Sequence, residues 1–482
     1  MKFFLTLLIF PLTLWGQTWT DPINISPNLP GLDNQPDLCI DKNGTLHCVF
    51  THKLASNWRK IYYTKSTNDG ETWTTPEDIS LNPDTTLYSP HIVADTNNRL
   101  YVTYDYNSGS PAALLIKLKY FDGNQWSEAF TVSEGMFGSE YNQMFIDKNN
   151  RIYVFWIYQT EKTYYRYFEN NIWSEIIYPY PGNFNLIFSS AKIDVNNNLL
   201  CVGSYSQPGP PVIPQTTIFF KYDYFDDEWS EKTFISSPTD YGGDGGMDID
   251  LFSNSFPAVT YRQRTYGTGP FNDSTMYTFF NGSTWSEPDL VVNDPYEQKI
   301  AIDPYNRVHI IDREKLETGT KLVHYQKINN MWQGYIIDEA DNLTSFPDLT
   351  YANGQLYLLY NKSDIPELSD IYISKFDITT GIKNDPDHSR IKTLDIYPNP
   401  FKTQTTIEFK TNKQQQINVS IFNLNGQHIK TLMNENTQPG TYRLLWNGKG
   451  KNGKEYWVIP GLYLVRLQSG RNIITKPVNY LK

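Results

Sequence analysis

Short runs in which apolar and polar residues alternate fill almost the whole chain, and no long stretch carries helical spacing of apolar residues. The runs group into a recurring unit with two halves. The first half is an apolar strand, an Asp-x-Asn turn and an aromatic strand. It recurs at 36–50, 90–104, 142–156, 191–205, 247–261, 299–312 and 347–360, with turns at Asp41, Asp95, Asp147, Asp194, Asp303 and Asn353-Gly354; the copy at 247–261 is looser. The second half is a strand ending in an aromatic residue, a polar turn, then Trp and Ser or Thr. It closes on Trp73, Trp126, Trp173, Trp229, Trp285 and Trp332. A repeat of about fifty residues holding four strands is the period of a propeller blade. The seventh copy, ending at Asp377, lacks its Trp strand. At the other end of the chain, Trp19-Thr20-Asp21-Pro22-Ile23-Asn24-Ile25-Ser26 parallels Trp73-Thr74-Thr75-Pro76-Glu77-Asp78-Ile79-Ser80. The pattern therefore predicts an all-β fold: a seven-bladed β-propeller over 17–380, its last blade completed by the N-terminal strand, which removes an exposed sheet edge.

The clearest turn is Ser66-Thr67-Asn68-Asp69-Gly70-Glu71-Thr72-Trp73, which follows the aromatic strand Ile61–Lys65. Asn-Asp-Gly tolerates positive φ and bonds to its own loop, so it reads as a tight hairpin turn. The stretch resembles the Asp-box of the sialidase-like (BNR) β-propellers, Ser-x-Asp-x-Gly-x-Thr-Trp, with Asn68 in the usual Asp place.

A second β unit occupies 393–482. Its strands are separated by turns at Asn425-Gly426, Asn447-Gly448 and Asn452-Gly453, and it reads as a small Ig-like sandwich. Residues 381–392 are polar, contain Pro and have no periodicity, so they read as a linker. Tyr397-Pro398-Asn399-Pro400-Phe401, the strand Val419–Gly426, Pro460–Leu467 and the basic residues Lys476 and Lys482 resemble the type A C-terminal sorting domain of the type IX secretion system. The resemblance implies a Bacteroidota protein that partners with that machinery, and a product secreted or held at the outer-membrane surface. Residues 1–16 suit this route. Lys2, the apolar run Phe3–Leu14 and Trp15-Gly16 read as a signal peptide for export to the periplasm. No later stretch is long and apolar enough for a membrane helix.

The formal net charge is −11 and no basic block occurs, which argues against a nucleic acid or an anionic membrane as partner. A monomer is expected. Cys39 and Cys48 flank Asn43-Gly44. A two-residue turn there would place them directly across from each other, at a distance that suits a disulfide; two small buried residues are the alternative. Cys201 reads as a strand core residue. The Asp-x-Asn turns lack the closing Glu of a calcium loop, and turn chemistry explains them. There is no zinc-ligand spacing, nucleophile elbow or phosphate loop, so neither metal nor cofactor is expected.

Chemistry on such a fold belongs to one end of the central channel, where first strands begin and second strands end. The residues expected there are His52, His91, Asp105, Tyr158, Arg262, Arg264 and Arg313, together with Asp37, Tyr141, Asp244, Asp248 and Asp348. His, Arg, carboxylates and Tyr together suit a polar, sugar-like ligand. A water-facing rim would also be polar, so these residues have a plain structural reading as well. Sialidases carry Phe- or Tyr-Arg-Ile-Pro, an Arg triad, a Tyr–Glu pair and an Asp acid/base; that tetrapeptide is absent and only two adjacent blades supply arginines. Polysaccharide lyases on similar propellers take a proton with His or Tyr beside a neutralised carboxylate, which His52 and His91 could serve. The sequence supports a module recognising glycan or protein at the channel mouth, with a carbohydrate-active hydrolase or lyase as the alternative, and a scaffold without a small ligand as a third option. It names no catalytic residue.

Overall fold

The computed structural model describes residues 19–80, 85–107, 114–159, 162–180, 185–207, 213–236, 245–265, 272–316, 319–328, 330–340, 342–365, 368–378, 394–411, 414–423, 428–450, 460–469 and 472–481. The signal-peptide and linker expectations, Asp244 and parts of the long loops lie outside them. Among the described residues every regular element is a strand, and no helix is long and apolar enough to cross a membrane. The chain divides into two compact units, Met1–Thr380 and Gly381–Lys482.

In the first unit, successive strands pair antiparallel into groups. The first group is Leu32–Ile40, Leu46–Lys53, Arg59–Ser66 and Glu77–Asp78. The second is Thr86–Ala94, Leu100–Asn107, Leu114–Phe121 and Phe130–Thr131. The third runs from Ser139–Ile146 to Ile172–Trp173, and the fourth from Asn185–Ile193 to Thr233–Phe234. The fifth runs from Gly245–Leu251 to Asp289–Asn293, and the sixth from Pro295–Ile302 to Met331–Ala340. The last comprises Asn342–Ala352, Gln355–Ile365 and Leu368–Asp377, and takes its outer strand from Ile23–Asn24, with Ile23 opposite Ile373. First strands of consecutive groups lie side by side all the way round, and the last lies against the first.

Apolar clusters sit between consecutive groups. Val49, Ile61 and Tyr63 of the first group meet Ile92, Val102 and Tyr104 of the second. Ile25, Leu38 and Phe50 meet Tyr357, Leu359 and Ile373 across the closure. The repeated tryptophans seal these seams. Trp126 meets Tyr63 edge-on at 5.4 Å, and Trp332 meets Tyr277 at 5.3 Å. After four of these tryptophans a Ser satisfies a backbone donor of the neighbouring strand. The hydroxyls of Ser127, Ser174, Ser230 and Ser286 accept from the amides of Tyr120, Tyr167, Lys221 and Phe279.

The Asp of each first-half turn organises a four-residue loop. Asp41 Oδ1 accepts from the amides of Asn43 and Thr45 at 2.9 and 2.8 Å, and Asp95, Asp147, Asp194 and Asp303 repeat the pattern. The fourth residue is left-handed: Gly44, Asn98, Asn150, Asn197 and Asn306. This corrects the expected turn at Asn43-Gly44, because only Gly44 is left-handed there. Ile40 pairs with Leu46, so Leu38, and not Cys39, faces Cys48. A one-residue slip sends the two side chains to opposite faces of the sheet. Cys48 packs toward the last group and Cys39 toward the second, and both are free thiols, as is Cys201. In the last group, where no Asp intervenes, Asn353 and Gly354 are both left-handed and make the two-residue turn between Ala352 and Gln355.

The second unit pairs Leu394–Tyr397, Thr405–Thr411 and Gly440–Trp446 in one sheet. His428–Thr437, Gln415–Asn423, Gly461–Ser469 and Asn472–Tyr480 form the other. Ile407, Phe409, Val419, Ile421, Trp446 and Val465 form its core. The Tyr397–Phe401 stretch is tied to the last strand: Asn399 Oδ1 accepts from the amide of Asn479 at 2.8 Å, and the amide of Phe401 donates to Asn479 at 2.9 Å.

Candidate functional site

Strand pairing puts the starts of the first strands beside the ends of the second strands. Asp33 faces His52, Tyr88 faces Asp105, Ser139 faces Tyr158, Gly245 faces Arg262 and Glu297 faces Arg313. Every first strand also carries a register shift near its start, between Asn34 and Asp37 in the first group and at matching places in the others. Such bulges re-aim side chains at the rim of a sheet. Here they set which residues face inward.

The residues just past these bulges hold the ring together. Asp37 Oδ2 accepts from the amide of Ile92 at 2.7 Å, Asp348 Oδ2 from Leu38 at 3.0 Å and Asp248 Oδ2 from Ile300 at 3.0 Å. Each spans from one group to the next. His91 stands at the same position in the second group, and its Nδ1 lies 3.2 Å from Asp37 Oδ1. Both side chains keep 21% of their exposure. Burial disfavours the imidazolium, but the Asp37 carboxylate outweighs it and raises the His91 pKa. Lys192 lies 3.7 Å from Asp250. Burial works against the Lys299 ammonium, but Asp248, Asp348 and Asp37 outweigh that effect and raise its pKa as well. Asp348 is pushed above the usual carboxylate range by burial and then by Asp37. Carboxylates and cations thus mix inside the ring, with Asp348 beside Asp37 where the last group meets the first. Asp37, His91, Asp248 and Asp348 were legible as strand starts. Lys192 and Lys299 were not, because the bulge resets which positions of the strand face inward.

His52 is buried, with its Nδ1 2.5 Å from Asp33 and its ring edge-on to Tyr62 at 5.0 Å. Burial raises the Asp33 pKa. The pair braces the first group. Asp105 is also buried and is pushed up to about 6, chiefly by burial. It accepts from the Tyr141 amide at 2.8 Å and from Asn142 Nδ2 at 2.7 Å, joining the second group to the third. The Tyr158 hydroxyl accepts from Gln159 Nε2 at 3.1 Å.

The arginines gather elsewhere on the rim. Arg264 forks onto Asp273 at 2.8 and 3.0 Å, and Arg262 reaches the same carboxylate at 4.0 Å and the Tyr296 carbonyl at 3.2 Å. Arg313 and Lys315 lie over the Tyr296 ring at 4.6 and 4.8 Å, and Arg313 lies 3.7 Å from Glu297. The Asp273 pKa is lowered first by its hydrogen bond from Arg264, with Arg262 and Lys315 adding to it. Four cations therefore converge on Tyr296 and Asp273 at the seam of the fifth and sixth groups, apart from the histidines in the first and second. Among the described residues no group of three or more His, Cys, Asp or Glu side chains is placed to hold a metal ion.

Residues 395–448 match the secretion system C-terminal sorting domain. No curated protein sequence matches the chain. Among solved structures, the chain is similar to a polysaccharide lyase PL25 ulvan lyase (TM-score 0.53, 12% identity, 75% of this chain and 94% of that one). The same holds for that lyase bound to -[GlcA(1-4)Rha3S]- (TM-score 0.53, 13% identity, 75% and 94%). It is also similar to the polysaccharide lyase Uly1 (TM-score 0.51, 12% identity, 73% and 91%). At these identities the likeness is one of fold. The chain therefore carries, behind an all-β unit with the propeller-type fold of these lyases, a C-terminal sorting domain that directs secretion by the type IX system to the cell surface or beyond.

Proposed function

We propose that residues 17–380 are a seven-bladed β-propeller closed by its N-terminal strand, and that residues 393–482 are an Ig-like sorting domain. On this reading the protein is a secreted or surface-held monomer that recognises an anionic polysaccharide at the channel mouth. The observation that carries it is the convergence of Arg262, Arg264, Arg313 and Lys315 on Tyr296 and Asp273. Asp273 and Glu297 lie among these four cations, and Asp312 and Glu314 flank Arg313 in the same strand. A chain of net charge −11 repels polyanions in general, so a local gathering of cations is what an acidic sugar would need. Tyr296, flanked by Arg313 and Lys315, holds both cations in fixed positions.

A second reading, a carbohydrate-active enzyme, is favoured by the partly exposed His91–Asp37 pair inside the ring. Its raised pKa suits a proton donor better than a base. The arginines favour no sialidase triad, since Arg262 and Arg264 share Asp273 and Arg313 is held by Glu297 and Tyr296.

The test is binding and product release on a panel of uronate-containing, sulfated, sialylated and neutral glycans, each at low and high salt. Retention of acidic polymers that weakens with salt, and several-fold weaker retention of Lys315→Ala, is the expected result. Binding confined to neutral glycans, or unaffected by Lys315→Ala, overturns it. Product release lost in His91→Ala establishes the second reading.

A further inference from the structure

The bulge at the start of the first strands places a left-handed residue at matching positions in four groups: Gln35 (φ 52°), Ser89 (φ 46°), Tyr141 (φ 54°) and Gly246 (φ 54°). Gln35 and Ser89 use their side chains on each other. The Ser89 amide donates to Gln35 Oε1 at 3.0 Å, and Gln35 Nε2 reaches Ser89 Oγ at 3.4 Å. Gly246 has no side chain to use. In the third group the seam is joined by the next residue, since Asn142 Nδ2 donates to the Ser89 carbonyl at 2.8 Å. Tyr141 is thereby released from holding the seam, and its side chain points outward. The residue is 60% exposed, and among the described residues its ring packs on no other ring and its hydroxyl has no hydrogen-bond partner. Phe137, in the turn just before, is 62% exposed and likewise unstacked.

A bulky residue at positive φ is a genuine outlier, which persists only where its surroundings enforce it. Asp105 does so here by accepting the Tyr141 and Asn142 amides at 2.8 and 3.2 Å. The Gln159 amide, bonded to the Gly138 carbonyl at 3.0 Å, fixes the other end of the turn. A tyrosine whose backbone is fixed at the mouth has only its two side-chain angles left to order when a ligand binds.

We infer that Tyr141, with Phe137 from the preceding turn, is a stacking platform for a sugar ring. The apolar C–H face of a pyranose matches an exposed aromatic face, and the platform stands on the third group, away from the cations of the fifth and sixth. A ligand that uses both is a polymer of several sugars lying across the mouth, not a single terminal acid. The platform rests on the reading of the mouth as a polysaccharide site.

The test is affinity electrophoresis of the full chain in gels containing polygalacturonate, alginate, chondroitin sulfate or laminarin. Tyr141→Asn removes the ring while keeping a residue that tolerates the left-handed backbone. Tyr141→Phe keeps the ring, and Phe137→Ser removes its neighbour without touching the strained position. On any polymer that retards the wild type, the platform requires roughly tenfold weaker retention of Tyr141→Asn, the scale of one lost aromatic anchor. It also requires a smaller loss in Phe137→Ser and none in Tyr141→Phe. Wild-type retention by both Tyr141→Asn and Phe137→Ser, with loss in Lys315→Ala, overturns the platform and leaves the cationic site standing. No retardation of the wild type by any of the polymers overturns both.

Discussion

The indole Nε1 of Trp19 donates to Nδ1 of His324 at 3.2 Å, joining the first described residue of the chain to the sixth strand group. This bond fixes the tautomers of two histidines. With Nδ1 accepting, His324 carries its proton on Nε2, which lies 3.0 Å from Nδ1 of His309. His309 then carries its own proton on Nε2, 3.4 Å from Asp303 Oδ2. Both rings are buried and neutral, and burial is the main cause holding both pKa values below the usual histidine value. Arg307, on Asp303, opposes protonation of both rings, and Asp303 favours it only for His309.

Acid should therefore weaken the closure of the ring. Above the unfolded histidine pKa of about 6.5 neither state takes up protons, and the full stability is present. Below it the unfolded chain binds protons that the folded pair refuses, so stability falls with pH by up to about 1.4 kcal/mol per unit for each ring. A proton forced onto His324 Nδ1 would also face the Trp19 N–H. In His324→Gln the amide can accept from Trp19 and donate to His309 without titrating. Denaturant unfolding at pH 8 and pH 5 should show a smaller acid loss in this variant than in the wild type. Equal losses would show that the pair does not govern acid sensitivity.

Asp105 pulls in the opposite direction. Its folded pKa of about 6 lies above the ordinary value of 3.8, so it contributes stability at low pH that is lost as pH rises through about 6. Asp105→Asn removes that contribution and also turns an amide donor toward a site filled by the N–H groups of Tyr141 and Asn142. The expected cost is about 1–3 kcal/mol at neutral pH, with a steeper net loss on acidification. Hydrogen exchange should quicken first around residues 137–142. Unchanged protection there would mean that Asp105 does not hold the turn.

The fold was legible where its determinants are local. Each repeated Trp, in most copies with a Ser or Thr after it, marks an outer strand, and the parallel between 19–26 and 73–80 pointed to the pairing of the N-terminal strand with the last group, seen at Ile23 and Ile373. The partners of the sorting motif were less visible, since Asn399 is tied to Asn479 at the far end of that unit. The site was legible only in part. Arginines at the ends of second strands could be placed on the rim from the sequence, but not their convergence on Tyr296 and Asp273. Tyr141 could be placed at a strand start from the sequence, but its outward aim, like the inward aim of Lys192 and Lys299, depends on bulges and on positive φ at residues other than glycine, which leave no sequence signal. The first hairpin departs from its Asn-Gly signal because the Asp41 carboxylate fixes a longer loop.

That longer loop makes the cysteines a sharp test. The Cys48 and Cys201 thiols are buried, Cys39 is half-buried, and burial raises all three pKa values well above the usual thiol value. The folded protein should react slowly with a thiol reagent, and the denatured protein should yield three thiols without prior reduction. Reductant should leave the unfolding midpoint unchanged. One thiol in the denatured, unreduced protein would restore the Cys39–Cys48 bridge.

The turn at 66–73 gives its asparagine side chain a testable role. Asn68 Oδ1 accepts from Ser66 Oγ and from the Thr72 amide, both at 3.0 Å, and its Nδ2 donates to Thr72 Oγ1 at 2.9 Å. The turn so formed presents Asp69 to the Tyr357 hydroxyl and Glu71 to Lys375 at 2.6 Å, so it braces the first strand group against the last. Asn68→Asp keeps both acceptor bonds, and the Thr72 hydroxyl can turn to donate in place of the lost amide. That variant should stay within about 0.5 kcal/mol of the wild type. Asn68→Ala removes all three bonds and should cost about 1–2 kcal/mol. If denaturant unfolding shows Asn68→Asp losing as much as Asn68→Ala, the amide donor is the essential group. The asparagine would then be a requirement of this turn and not a neutral replacement for the aspartate.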